Sequence, residues 1–326
     1  MNLTKRMVTV VHIDGLNGIN YHRLMVPLLR LTQNGFNFHW IQKISELKDM
    51  DLDKVDNLII SRMARIEGHA EFKRMLKDHG VKLILDNDDY WELAKHNPAF
   101  FAYSTDIRHH IKKTIKIADV IWTPSPALAK EMQRLNPKAQ IEIVNNAINE
   151  YEDQWANWKK TSGRQLHFGY LGAAAHNKDA RLMKYEFYGK NFACLRKLGY
   201  ERIFKPNKVW HPKEIQEYGE FYREIDVSIA PLETTLFNRC KSDLKVTEAA
   251  WTRTALIASN TTPYKEVIKN GETGILCSTP QEWREAIESM TKKRAQELGH
   301  NLYEDLKNSP NHNLDLVNQK RIKYLI

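Results

Sequence analysis

Cysteine is scarce in this sequence. Cys194, Cys240 and Cys277 are the only three, and their wide spacing builds neither a zinc site nor a disulfide framework. Such usage is expected of a protein in a reducing cytoplasm. No run of about 18 apolar residues occurs, so no transmembrane helix is indicated. The apolar run at residues 7–13 is too short for a signal peptide and lacks a small-residue cleavage site. Low-complexity segments and short-period repeats are also missing. So is a complete G-x-G-x-x-G fingerprint, which argues against a dinucleotide-dependent oxidoreductase.

What remains is the composition of a soluble globular chain, 42% hydrophobic and 27% charged. At 326 residues it fits two domains of about 150 residues each. Lys and Arg number 49 against 40 Asp and Glu, a formal net charge of +9. That balance permits DNA, RNA, an anionic membrane surface or a phosphorylated substrate as partner. Because the basic residues are spread along the whole chain, the charge alone selects none of them.

Hydrophobic patterning gives alternating strands and helices from the start. Residues 7–13 read as a strand, followed by a loop with Gly15, Asn17 and Gly18 and a helix over residues 21–33. A strand, a glycine-containing loop and a helix open a Rossmann-like unit, whose helix N-terminus can face a phosphate or simply make a plain βα turn. Further strands are expected at 37–41, 57–61 and 81–85. The last leads into Asp86-Asn87-Asp88-Asp89-Tyr90-Trp91. Carboxyl ends of parallel strands line the ligand crevice, so Asp86, Asp88 and Asp89 are candidates to orient hydroxyls, act as a base or ligate a metal. Capping the next helix is the plainer alternative. Residues 109–116 form a basic helical face, and the Trp-containing segment 149–164 reads as a linker.

A second series of the same kind begins at residues 166–172. Its small-residue loop Ala173-Ala174-Ala175-His176-Asn177-Lys178-Asp179 follows Gly172 and lets a ligand approach the backbone, with His176 and Lys178 as donors to phosphate. Residues 180–198 are expected to be helical, with weak strands at 202–204 and 209–210. After the strand at 227–232 comes Cys240-Lys241-Ser242-Asp243-Leu244-Lys245-Val246-Thr247-Glu248-Ala249-Ala250. Ser242 reads as an N-cap, and Lys245 and Glu248 fall three apart on one face of the new helix. A strand, loop and helix N-terminus of this kind suit an anion beside a hydroxylated group. An amphipathic helix with both charges solvated is the alternative.

With these residues in place, the chain resembles the retaining GT-B glycosyltransferases of the group 1 type that use nucleotide-sugars. The second half carries the specific motifs. They are Phe168-Gly169-Tyr170-Leu171-Gly172 with His176 and Asp179, residues 226–232, Phe237-Asn238, Lys241-Ser242-x-Leu244-Lys245-x-x-Glu248-Ala249-Ala250, Pro263-Tyr264, and Gly271-x-Thr273-Gly274-Ile275-Leu276. The first half fits more loosely, through Tyr21-His22-Arg23, Pro27-Leu28 and Asp86-x-Asp88-Asp89-x-Trp91. The resemblance covers nearly the whole chain.

It implies an α/β fold of two Rossmann-like domains facing each other across a cleft. Residues 1–160 would be the acceptor domain and 161–308 the donor domain, with a helix at 309–326 packing back on the first. It also implies that Glu248 holds the donor ribose and that Lys245, with Lys178, meets the diphosphate. Gly15 to Gly18 would approach from the first domain. A metal is unnecessary where lysines and a helix N-terminus meet the developing charge, although Asp86-x-Asp88 is similar to a metal motif of another glycosyltransferase fold. One departure stands out: the first glutamate of the family's pair belongs eight residues before Glu248, where this chain has Cys240.

The implied function is transfer of a sugar from a nucleotide-diphosphate sugar to an acceptor hydroxyl, with retention, in a bacterial or phage-infected cytoplasm. Double-stranded DNA bearing hydroxylated bases is one acceptor, with Arg62, Arg65, Lys73, Arg74, Lys112, Lys113 and Lys116 on its phosphates and Tyr90 or Trp91 near an unstacked base. A cell-surface glycan or lipid-linked sugar, reached at an anionic membrane, is the other. A catalytically inactive nucleotide- or polyanion-binding protein on the same fold is the alternative in a different class, favoured by Cys240 and by the Asp86 to Asp89 cluster standing where the resembled family commonly has a histidine.

Overall fold

The structure, a computed structural model, describes residues 8–93, 95, 97, 100, 104–156, 159–172, 176, 178–183, 185–187, 189–195, 202 and 204–326. Ala173, Ala174, Ala175 and Asn177 of the small-residue loop therefore lie outside the described residues, as does Ile203 of the weak strand expected at 202–204. The chain divides into two compact units. One comprises Met1–Glu92, Tyr103–Asn146 and Leu314–Ile326, the other Leu93–Ala102 and Ala147–Asn313.

The first unit is built on a six-stranded sheet of β1 (Val8–His12), β2 (Phe38–Ile41), β3 (Val55–Ser61), β4 (Lys82–Asp86), β5 (Val120–Thr123) and β6 (Gln140–Ile143). Its order is β2-β1-β3-β4-β5-β6, and every pairing is parallel. Leu58, Ile59, Ile60, Leu83, Ile84 and Leu85 are fully buried, as expected of strands covered on both faces. The covering helices include α1 (Val26–Thr32), α2 (His69–Asp78), α3 (Thr105–Ile117) and α4 (Pro126–Leu135). Ser104 and Ser125 cap the last two through their side-chain oxygens. The helix expected over 21–33 is instead a π-helical turn, Asn20–Met25, running into α1.

The second unit carries β7 (His167–Tyr170), β8 (Asn191–Leu195), β9 (Lys208–Trp210), β10 (Val227–Ala230), β11 (Ala255–Ser259) and β12 (Ile275–Cys277), again all parallel, in the order β12-β11-β10-β7-β8-β9. Its helices include α5 (Asp153–Ala156), α6 (Leu236–Arg239), α7 (Leu244–Trp251), α8 (Pro280–Glu288) and α9 (Lys292–Leu306). Two buried apolar clusters, one containing Val246, Ala249, Ala250 and Leu302 and the other Phe168, Phe192, Trp283 and Leu298, make the core.

Two sequence expectations change here. The segment expected to be helical over 180–198 contains a short 3-10 turn at Asp179–Met183 and then strand β8. The register of β8 between β7 and β9, with the Phe192 ring stacked 3.9 Å from that of Phe187, overrides local helix propensity. The supposed linker at 149–164 is part of the second unit, because Trp155 is 2% exposed and packs in that unit's core. The last helix, α10 (Leu314–Ile322), belongs to the first unit. There Asn318 donates to Pro27 O at 2.9 Å and Arg321 to Arg23 O at 3.2 Å.

Candidate functional site

In the second unit the chain runs outward from β7 to β8 and β9, then returns to β10 on the other side of β7. The loops after β7 and β10 diverge at this reversal, the place where open α/β sheets hold ligands. Both loops carry candidate residues. Asp179 ties them together. It is 3% exposed, accepts from His176 Nδ1 at 2.6 Å through Oδ2, and accepts from Glu233 N at 2.8 Å and Asn238 Nδ2 at 2.9 Å through Oδ1. His176 Nδ1 is thereby committed as a donor. That leaves Nε2 as the ring nitrogen turned away from Asp179. Gly172 leaves no room for a side chain, since a Cβ there would lie 2.2 Å from the Tyr170 hydroxyl.

Helix α7 presents Lys245. Its Nζ donates to Tyr218 OH and to Glu248 Oε2, both at 2.6 Å. Tyr222 OH also donates to Glu248 Oε2, at 2.6 Å, and Tyr218 OH donates to Leu171 O at 3.2 Å. Burial pulls the Lys245 ammonium down, but the Glu248 carboxylate and the Tyr218 hydroxyl outweigh it and the net shift is upward. Burial pushes the Tyr218 phenol up to about 12 against the pull of Lys245, and Tyr222 rises further beside Glu248. Lys245 is thus a fixed cation, 24% exposed, with two of its three donors engaged. Glu248 is 2% exposed and takes both bonds on one oxygen.

Ser242 is not the N-cap. Helix α7 starts at Leu244, so Asp243 holds the cap position and makes no side-chain cap bond. Its carboxylate instead meets His312 Nε2 at 2.8 Å, which draws the turn one residue further along. Cys240 is fully buried and closes α6 through its backbone N–H.

A cavity of about 620 Å³ adjoins the β10 loop and is lined by Lys178, Glu233, Thr234, Asn260, Thr261 and Ser278, among others. Among the described residues, Lys178 is the only sequence-predicted site residue in that lining. Sequence reasoning passed over Tyr218, Tyr222, Thr261 and Ser278. The first pair was visible as tyrosines four apart in a helical segment, and the second pair as hydroxyl residues just beyond two strands.

In the first unit the carboxylates do not converge on one ligand. Asp86 is fully buried and bidentate to Arg23, at 2.9 and 2.8 Å. Asp88 accepts from Arg62 Nε at 2.9 Å, and Asp89 lies 3.7 Å from Arg62 Nη2. Each faces an arginine because three carboxylates this close need counter-charge once removed from water. Among the described residues, no group of three or more His, Cys, Asp or Glu side chains gathers as a metal site. Asn17 Oδ1 accepts from the backbone of Ile19 and Asn20, making an Asx turn, while Gly15 has φ +138°. Gly18 already has helical backbone at the start of the segment that follows, so Gly15 and Asn17 shape the loop itself. Arg62 and Trp91, expected on a nucleic-acid surface, are both buried, and Lys73 pairs with Asp119. Arg65, Arg74, Lys113 and Lys116 are exposed.

Residues 173–293 match the family model "Glycosyl transferases group 1". The sequence matches no curated protein. Among solved structures, Anabaena HepE in complex with UDP-glucose is 10% identical with a TM-score of 0.62, covering 98% of this chain and 99% of its own. Sucrose-phosphate synthase from Thermosynechococcus elongatus is 12% identical with a TM-score of 0.60, covering 98% of each chain. A mutant of S. aureus TarM, in complex with fondaparinux, alpha-GlcNAc-glycerol and UDP, is 10% identical with a TM-score of 0.59, covering 86% of this chain. This chain spans 57% of TarM's length. At such identities the likeness concerns the fold. Two parallel six-stranded sheets, each with a reversal point, give the GT-B fold of these structures, and residues 173–293 within it match the group 1 glycosyltransferase model.

Proposed function

We propose that the chain transfers a sugar from a nucleotide-diphosphate sugar to an acceptor hydroxyl, with retention and without a metal. The observation that carries this is Lys245. It is a cation pinned by Glu248 and Tyr218 at the reversal point of the second sheet, with a donor to spare. A diphosphate leaving group gains negative charge as the glycosidic bond breaks. A preorganised ammonium at a helix N-terminus stabilises that charge where it develops, which a metal would otherwise do.

In this reading Glu248 receives ribose hydroxyls, His176 Nε2 bonds a hydroxyl of the sugar, and Lys178 meets phosphate beside the 620 Å³ cavity. Ser242, just ahead of α7, adds a hydroxyl near the same phosphates. Asp88, the most exposed of the three aspartates at 21%, keeps one oxygen outside its bond to Arg62 and is the one to orient an acceptor or take its proton. HepE in complex with UDP-glucose supports a nucleotide-sugar donor. The acceptor we favour is a hydroxylated base in DNA, because the net charge of +9 suits a polyanion. A glycan or lipid-linked sugar is the competing acceptor.

Nucleoside-diphosphate release should be followed with a panel of nucleotide-sugars, with and without hydroxymethylated DNA, and the product's anomeric configuration read by NMR. Donor consumption with retained configuration is expected. A second reading, an inactive binder, is motivated by Cys240 at a position where a carboxylate is expected. Thermal stabilisation by a nucleoside diphosphate without any turnover of the panel would establish it and sink the first.

A further inference from the structure

The carboxyl ends of β1, β2 and β3 surround another cavity, about 390 Å³, that shares no residue with the Lys245 site. The chain leaves β1 for β2 on one side and then crosses to β3 on the other, so this is the reversal point of the first sheet. The volume falls within the range of about 300–1,000 Å³ common for small-molecule sites. Its lining divides by chemistry. Leu47 and Phe72 give it an apolar wall, both nearly fully buried. Lys43, Lys48 and Arg65 give it exposed cations, and none of the three forms an ion pair among the described residues.

Two acids oppose them. Glu67 lies on the lining, and Asp14 does too, with Oδ1 already held by Asn20 Nδ2 at 2.8 Å. The excess is one positive charge. His12, at the end of β1, is 2% exposed and its Nδ1 is buried with no hydrogen-bond partner among the described residues. Such an atom is destabilising until something bonds to it. Gln42 and Ser45 add polar groups to the same lining.

We infer that this cavity binds one nucleotide: its base against Phe72 and Leu47, its phosphate on Lys43, Lys48 and Arg65, and its polar edges on His12, Gln42 and Ser45. A bare phosphate would leave the apolar wall wet. A lipid phosphate would strand His12, Gln42 and Ser45 under hydrocarbon. The inference rests on the nucleic-acid acceptor proposed above and narrows it to a single unstacked nucleotide, the form in which a base reaches an enzyme's chemistry.

Isothermal titration of the whole chain with deoxycytidine 5′-monophosphate tests it in the absence of any sugar donor. Saturable binding is expected, weakened roughly tenfold or more in Lys43→Ala/Arg65→Ala, while UDP binding stays unchanged. Both residues are exposed, so an unaltered melting temperature will show that the variant is folded. No saturable binding of the monophosphate, or equal binding by the variant, overturns the site. Inorganic phosphate binding as tightly as the monophosphate, or dodecyl phosphate binding more tightly, overturns its assignment to a nucleotide. Failure of UDP to bind the wild type would strike the donor site in the second unit and leave this one standing.

Discussion

Lys245 shows how far a residue's role depends on neighbours that sequence spacing does not reveal. Read from the sequence and its family resemblance, its replacement by alanine should lower turnover strongly and spare the fold. The structure makes it the counter-ion of Glu248, which is 2% exposed, so the substitution leaves a buried carboxylate with only Tyr222 for support. A fully buried pair broken in this way costs about 3–5 kcal/mol; with Lys245 24% exposed, about 1–3 kcal/mol is expected. Glu248→Gln in the Lys245→Ala background should restore part of that loss. A denaturation cycle over the four proteins measures the coupling, and strict additivity would disprove it. Lys160 offers a pH test. Burial pushes its ammonium down to about 7, with Lys292 adding to the fall and Asp226 opposing it, while the unfolded value is 10.5. Between those two pH values the unfolded chain binds the extra proton, so Lys160's contribution to stability rises with pH. The stability difference between wild type and Lys160→Met should therefore grow from about pH 7 to pH 9. A flat difference would mean that the folded protein keeps this lysine charged.

Among the elements, α10 carries more than its place near the end of the sequence suggests. It shows almost no segregation of apolar from polar residues, yet Leu314, Val317, Asn318 and Arg321 are buried. Arg30 grips Asp315 with two bonds of 2.8 Å, and Tyr324 OH donates to Glu142 Oε2 at 2.9 Å. Removing residues 314–326 should destabilise the first unit well beyond the trimming of a tail, seen as loss of its protected backbone amides in hydrogen exchange. Unchanged protection in β3 and β4 would refute this. The regular elements were legible where apolar runs are continuous, as in β3, β4, β10 and β11. Strand β8 was not, because Asn191-Phe192-Ala193-Cys194-Leu195 carries no pattern that separates strand from helix, and pairing to β7 and β9 decides it. The N-terminus of α7 was misread by one residue for a similar reason: Asp243 answers to His312, a residue 69 positions away.

At the scale of the whole molecule, charge is what a partner meets first. The net +9 is real, but several cations assigned to a nucleic-acid surface are already paired within the chain: buried Arg62 with Asp88 and Asp89, and, at the surface, Lys73 with Asp119 and Lys112 with Glu92. Arg65, Arg74, Lys113 and Lys116 remain exposed. With about four phosphates neutralised, affinity for DNA should fall roughly 10²-fold between 50 and 200 mM salt, as anisotropy titrations will show. Indifference to salt would remove DNA from the list of acceptors.

The sequence by itself determined the α/β class, the repeated βα plan of the two halves and the position of Lys245 and Glu248 on one helical face, because these follow from local periodicity and short motifs. Only the tertiary structure decided which charges are available. Asp86 and Glu248 are both acids with basic residues nearby in sequence or space. One is fully buried against Arg23 inside the first unit, and the other anchors the cation at the reversal point of the second sheet. The difference lies in what surrounds each carboxylate once the chain has closed. Burial raises the cost of an unpaired charge so steeply that distant residues, among them Arg23, Tyr222 and His312, settle what each candidate site residue is free to do.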